Sequence, residues 1–354
     1  MASQNISRVI LTLFVTGALL GLAGGAFFGG DRVPSAPTDS TSPAGAAAAP
    51  TGPMTSARAA AMGANEVGRI LVLEYHQIGA PEADWTRTPE QFRADIDLLK
   101  SEGFYPIDVR DLATGNIEVA AGKTPVVLTF DDSSPGQYRI LDDQTIDPDS
   151  AVGIMEAAVR SGGWASRASF YVLLDVRPDD HVLFGQPDYQ TKKMRSLVEW
   201  GYEVGSHTVS HLNLKEAYTE ESTKQLALSA KMIEDMVGSG YKVQTLSIPL
   251  GEYPADDAIL RSGTWESIAY GYIAALKVSG GASPSPFSQE FDPLHIPRVI
   301  VRGNALREAI QAFKDEPGLR YVSDGDPAAV SVPAETAEAL GTLRADLGRP
   351  VITY

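Results

Sequence analysis

The sequence predicts an α/β fold, a parallel sheet or barrel whose strands alternate with helices. Three observations carry this. From Arg69 onward, short apolar runs alternate with segments of helical periodicity. Several runs are apolar on both alternations, as in Pro125-Val-Val-Leu-Thr-Phe130, which suits strands covered on both faces. The intervening segments also carry helix boundary signals, and no internal repeat interrupts the pattern.

Taken in order, the chain starts with an arm unlike the rest. Val9 to Phe28 holds no charge over 20 residues and follows Arg8, the length and flank of a membrane-crossing segment. Residues 1–30 therefore read as a signal peptide, with small residues near Ala23 to Ala26 as a cleavage site, or as a retained anchor. Residues 31–66 are mostly Pro, Ala, Ser, Thr and Gly, and predict a disordered linker. Arg8, Arg32 and Arg58 balance Asp31, Asp39 and Glu66 in this arm, so the whole net charge of −16 sits on 67–354, the predicted folded domain. This layout implies an exported protein, extracellular or tethered with its domain outside.

Within 67–354, strands are expected at 70–75, 125–130, 168–174, 202–206, 243–248, 268–278 and 296–301. Thr88-Pro89-Glu90-Gln91 is a capping box with proline at the first helical position. Phe92, Ile96 and Leu99 continue it as an apolar stripe that ends at Gly103. Helices are also expected over 188–200 and 219–237. The stretch 133–167 exceeds an ordinary connection and predicts an elaborated loop.

Composition excludes several chemistries. With no cysteine there is no disulfide, thiolate nucleophile, iron–sulfur cluster or Cys-held zinc, so any metal must sit on His, Asp and Glu. The acidic balance argues against nucleic acid as partner, against docking on anionic lipid, and for a neutral or cationic polymer. Membrane contact is expected only through the N-terminal segment, and nothing indicates a protein partner.

Ligands in parallel α/β folds bind at the C-terminal ends of strands. Of the five histidines, three fall there: His76, His207 and His211. Two imidazoles four residues apart can reach one ion, and with a carboxylate they form a site with open coordination positions. They can equally be capping or surface residues. Asp131 and Asp132 follow another strand; such acids often cap a turn, yet two buried neighbouring carboxylates repel unless a cation offsets them.

Thr129-Phe130-Asp131-Asp132, followed by His207-Thr208 and His211, resembles the first two motifs of the polysaccharide deacetylases, carbohydrate esterase family 4. Tyr75-His76-Gln77-Ile78 resembles the opening of a subgroup that starts with a Tyr-His motif. The resemblance covers about 70 to 301. It implies a distorted (β/α) barrel of about seven mainly parallel strands. It also implies that Asp132, His207 and His211 hold a divalent metal, most often zinc, and that Asp131 is the general base. A backbone N–H at Leu250 would help hold the oxyanion. His76 would protonate the leaving amine, with His295 as runner-up, while His181 has no motif around it.

Three positions depart from the family pattern. Ser133 replaces a glycine after the Asp pair. Ser247-Ile-Pro249-Leu250-Gly251 lacks the arginine that orients the base and has Leu250 for a tyrosine, leaving Asp131 without its charge partner unless Arg298 or Arg302 supplies it. Trp85 leads the aromatics that could stack on a sugar ring, with Tyr75 among the others. The implied function is metal-dependent removal of N-acetyl groups from an N-acetylhexosamine polymer of the envelope or extracellular space. The alternatives are an O-acetyl esterase or small amidase on the same scaffold, or a weakened glycan-binding domain. Retention of Asp131 and all three ligands speaks against the last.

Overall fold

The computed structural model describes residues 52–339 and 343–354. Its main sheet has eight strands: β1 (Leu71–Tyr75), β2 (Phe104–Ile107), β3 (Thr124–Phe130), β4 (Ser169–Val172), β5 (Glu203–Ser206), β6 (Thr245–Ser247), β7 (Ala274–Leu276) and β8 (Val299–Ile300). They run in the order β7-β6-β5-β4-β3-β1-β8, with β2 also paired to β3. Every pairing is parallel. One edge of β3 serves two partners, β2 along Thr124–Val127 and β4 along Thr129–Phe130. The two ends of the sheet meet through the last segment. Ile296 bridges Leu276 of β7, and three residues later Val299 pairs with Leu73 of β1. The sheet is thus a distorted parallel barrel, as expected.

Period-two alternation then sorts the side chains. On β1, Leu71, Leu73 and Tyr75 face outward into a core shared with Phe92, Ile96 and Leu99 of the helix Pro89–Ser101. Val72 belongs instead to an inner core with Val127, Tyr171, Ala274 and Leu276. The helix starts as read: Thr88 Oγ1 accepts from Gln91 N at 3.3 Å, and the Gln91 side chain accepts from Thr88 N at 2.9 Å. Interior space is tight. A Cβ on Gly205 would lie 2.4 Å from the Tyr171 ring, so only glycine fits at that inward position of β5.

Three expectations need correction. The apolar run 268–278 is not one strand. Ile268–Tyr270 pairs antiparallel with Gly263–Trp265 outside the barrel, and only Ala274–Leu276 joins it. Gly271 separates them where the chain passes so near Arg261 that a Cβ would lie 2.8 Å from its carbonyl oxygen. The stretch 133–167 is not all loop, since Ala151–Arg160 is helical and capped by Ser150 Oγ on Gly153 N at 3.2 Å.

The linker also ends earlier than 66. Ser56–Met62 is a helix capped by Thr55, and its Ala59 is buried with Met54, Ala64 and Ala329. Seven residues are too few for an isolated helix, so tertiary contact holds it. Asn65 and Glu66 are buried as well, and Glu66 accepts from Ser331 N at 2.9 Å. These segments close the barrel at the N-terminal ends of its strands, where Thr124 Oγ1 donates to Tyr321 O at 2.7 Å. Residues 1–51, including the expected membrane segment, lie outside the described residues. No described helix is long and apolar enough to cross a membrane.

Candidate active site

The inward alternation places polar groups at the other end of the barrel. Continuing each strand's inward parity beyond its last apolar residue reaches His76 after β1, Asp131 after β3 and His207 after β5. Ser247 ends β6 on the same parity, and Arg298 sits inside just before β8. These residues line or underlie a cleft of about 360 Å3 that Trp85 and Leu250 flank.

Asp132 has the wrong parity to face inward from a continuous strand. A backbone φ of 70° at Asp132 and 45° at Ser133 turns the chain there. Ser133 occupies a conformation that favours glycine, and its hydroxyl helps hold it. Ser133 Oγ donates to His181 O at 2.6 Å and accepts from Leu173 N at 3.1 Å. This accounts for serine at the position where the family pattern has glycine.

The turn brings Asp132 Oδ1 to 3.4 Å from His207 Nε2 and 3.7 Å from His211 Nε2. The three ligand atoms lie within 4.8 Å of one another. His207 Nδ1 is 2.8 Å from Ser247 O, which aims Nε2 at Asp132. Asp132 Oδ1 is buried with no hydrogen-bond partner. An orphaned carboxylate oxygen facing two imidazole nitrogens is the donor set of a two-His, one-carboxylate metal site, and these residues fit a divalent cation. A backbone carbonyl behind one imidazole is the usual outer support for such a ligand.

Asp131 is held differently. Arg298 Nη1 donates to its Oδ1 at 3.0 Å, Arg298 Nη2 to its Oδ2 at 2.8 Å, and Ser247 Oγ to Oδ2 at 2.8 Å. Burial alone would raise the Asp131 carboxyl, but the guanidinium outweighs it and holds the group below the usual carboxylate range. The missing motif arginine is therefore replaced by Arg298, fully buried and bidentate. Its position before β8 is legible in the sequence; its reach across the barrel is not.

His76 lies at the cleft with its ring 4.6 Å from that of Trp85. Burial lowers its pKa despite the nearby Asp131 and Asp132 carboxylates. His295 does not reach the cleft. It stacks on Tyr253 at 4.6 Å and bonds Asp292 through Nδ1 at 2.7 Å. Leu250 turns through φ 61° at the rim and exposes its side chain. Trp85 is 44 % exposed and available to a ligand. Tyr75 is not a substrate platform. Its ring is buried among Phe92 and Phe130, because its parity on β1 points outward.

The sequence reading missed Glu74 and gave His181 no role. Glu74, one inward step below His76, is fully buried. His181 is not a plain surface residue, since it lines a second cleft of about 530 Å3 that shares Asp132 and His211 with the site. Parity would have found Glu74; His181 lies on an irregular segment with no periodic signal.

Comparison with known proteins bears on the fold and on the family pattern. Residues 161–262, which span β4 to β6 and both metal-site histidines, match the family model for polysaccharide deacetylase. No curated protein sequence matches the chain. Among solved structures, the putative polysaccharide deacetylase BA0330 from Bacillus anthracis aligns with a TM-score of 0.51 at 19 % identity, over 69 % of this chain and 68 % of that one. Streptococcus pyogenes deacetylase PplD, in complex with acetate, aligns at 0.50 and 20 %, over 69 % and 97 %. BC0361, a polysaccharide deacetylase from Bacillus cereus, aligns at 0.51 and 19 %, over 68 % and 69 %. At these identities the likeness to solved structures is one of fold. Residues 161–262 thus match the polysaccharide deacetylase model, and the barrel is the fold of the solved deacetylases it resembles.

Proposed function

We propose that the chain removes N-acetyl groups from an N-acetylhexosamine polymer, with a divalent cation such as zinc held by Asp132, His207 and His211. The observation that carries this is the orphaned Asp132 Oδ1 between two imidazole nitrogens, beside a carboxylate kept ionised by Arg298. When bound, the cation supplies positive charge that polarises an acyl carbonyl and acidifies water.

The chain's own residues do the rest. Asp131, ionised and fixed by three hydrogen bonds, accepts the proton of the attacking water. The backbone N–H at Leu250 helps hold the oxyanion at the cleft rim. His76, on the Trp85 side, gives a proton to the departing amine. Trp85 offers a ring face to a sugar. The uncharged segment 9–28 after Arg8 supports a place outside the cytoplasm, where such a polymer would be met.

The test is acetate release from N-acetylhexosamine oligomers by the purified chain, with and without chelator. Chelator should abolish release, and added zinc should restore it. Asp131→Asn should keep the metal and lower turnover by about 100-fold or more. Persistent turnover in that variant would place the base elsewhere.

A further inference from the structure

The parallel ladder between β1 and β3 ends just short of the site. Its last bond runs from Asp131 N to Tyr75 O at 3.0 Å. Beyond it lie His76 and Asp131, next to each other at the ends of the two strands, and their carbonyl oxygens need other donors. One side chain supplies both. Gln137 Nε2 donates to His76 O at 2.6 Å and also to Asp131 O. An amide nitrogen carries two protons, and here each has a carbonyl. Ser134 Oγ adds a second bond to His76 O at 3.2 Å.

Gln137 is itself fixed. It is completely buried. Val152 N donates to its carbonyl at 3.0 Å and Ala151 N donates to Gly136 O at 2.9 Å, so the start of the helix Ala151–Arg160 holds the segment in place. The segment also presses on the chain beyond β1, where a Cβ on Gly136 would lie 1.7 Å from Ile78 O. Burying an amide is costly unless its polar atoms are paired, and Gln137 Oε1 has no hydrogen-bond partner. An apolar side chain of similar shape would avoid that cost. The two donated bonds therefore account for glutamine at this position.

The two strand ends depend on these bonds to different degrees. The Asp131 carboxylate is held independently by Arg298 and Ser247. The His76 ring has no such anchor. Among the described residues it makes no hydrogen bond, and it rests beside the Trp85 ring at 4.6 Å. Its place is set by its main chain. We propose that Gln137 is a positioning residue for His76: by tying the His76 and Asp131 carbonyls to one nitrogen, it sets the separation of acid and base in the cleft. This rests on the reading of His76 as the acid. A general acid works only within hydrogen-bond reach of the leaving atom, and a displacement of about 1 Å can cost about 100-fold in rate. The proposal also gives the long segment 133–167 a task, since it carries the clamp from the helix Ala151–Arg160 to the site.

Leaving-group chemistry separates this role from a merely structural one. An amine must be protonated to leave, whereas a nitrophenolate leaves unaided. Gln137→Met keeps the length and removes both donors. In the purified chain it should lower kcat on an N-acetylhexosamine oligomer by about 10- to 100-fold. KM, bound metal and hydrolysis of 4-nitrophenyl acetate should stay unchanged. His76→Ala should show the same split, and the double variant should be no slower than His76→Ala. If Gln137→Met does not fold, Gln137→Asn keeps the amide but is one methylene short of reaching both carbonyls, and it should show the same split at several-fold or more. Full turnover of the oligomer by the folded variant would overturn the proposal. Equal loss on both substrates would also overturn it, by showing that Gln137 acts through the base or the metal. Either result leaves the acid assignment standing. Intact oligomer turnover in His76→Ala would instead overturn the acid assignment, and the proposal with it.

Discussion

Replacing Arg298 by methionine removes the buried guanidinium that faces Asp131 and Glu74. The guanidinium donates to Asp131 twice, to Ser247 Oγ at 3.0 Å, to Thr129 Oγ1 at 3.1 Å and to Lys277 O at 2.6 Å. The hydroxyls can turn to new partners; the carboxyls cannot leave the barrel. Breaking a buried ion pair from one side costs about 3–5 kcal/mol. At about 2–4 °C per kcal/mol, the melting temperature should fall by about 6–20 °C near neutral pH. The pH dependence gives the sharper test. Asp131 has a folded-state pKa below its ordinary 3.8, so its contribution to stability is present above that value. It is lost only as pH falls through the lower folded value. In Arg298→Met, burial dominates and the folded pKa rises above the ordinary one. Stability then falls as pH rises from 3.8 through the new value. The gap in melting temperature between the two proteins should therefore widen from pH 4.5 to pH 8, as followed by circular dichroism. A gap that is constant with pH, or below about 2 °C throughout, would refute the assigned charge balance.

Other outcomes follow from the same geometry. His207→Ala should bind less than a tenth as much zinc as the unaltered chain, by elemental analysis after dialysis, since removing one of three ligands leaves a weak site. Trp85→Ala should raise KM for long oligomers several-fold with little change in kcat, in steady-state acetate assays, because its exposed ring lies beside His76 at the cleft. Glu66 is pushed up to about 8 by burial, with Asp324 adding to it. Its neutral form is favoured in the fold, so stability declines as pH rises from its ordinary 4.5 to about 8. Glu66→Gln should flatten that decline in melting curves taken between pH 5 and pH 9.

Much of the site was legible because its residues end strands. His76, Asp131 and His207 each follow an apolar run at inward parity, and a parallel fold opens at that end of the strands. Tyr75 was misjudged for the same reason. One residue earlier on β1, it points outward to Phe92 and Phe130 rather than toward the cleft. The Arg298–Asp131 pair spans 167 residues of sequence. Only the order β3-β1-β8 brings the two together, and no local pattern encodes which of two arginines reaches. The helix Ser56–Met62 was unreadable because its stability comes from Ala329 and the strand Val351–Thr353 rather than from its own composition.

By itself the sequence determined the strand-and-helix alternation, the absence of any Cys-based chemistry, the His and Asp residues available to a metal, and the family pattern they follow. These are local properties of period, cap and composition. The tertiary structure decided which groups meet. It closed the barrel through 296–300, turned Asp132 inward through a left-handed backbone, supplied Arg298 where the motif lacks its arginine, and buried Glu74 without a partner beside His76. The physical reason is that hydrogen bonds and charge pairs form across the barrel, between strands whose order the linear chain does not carry.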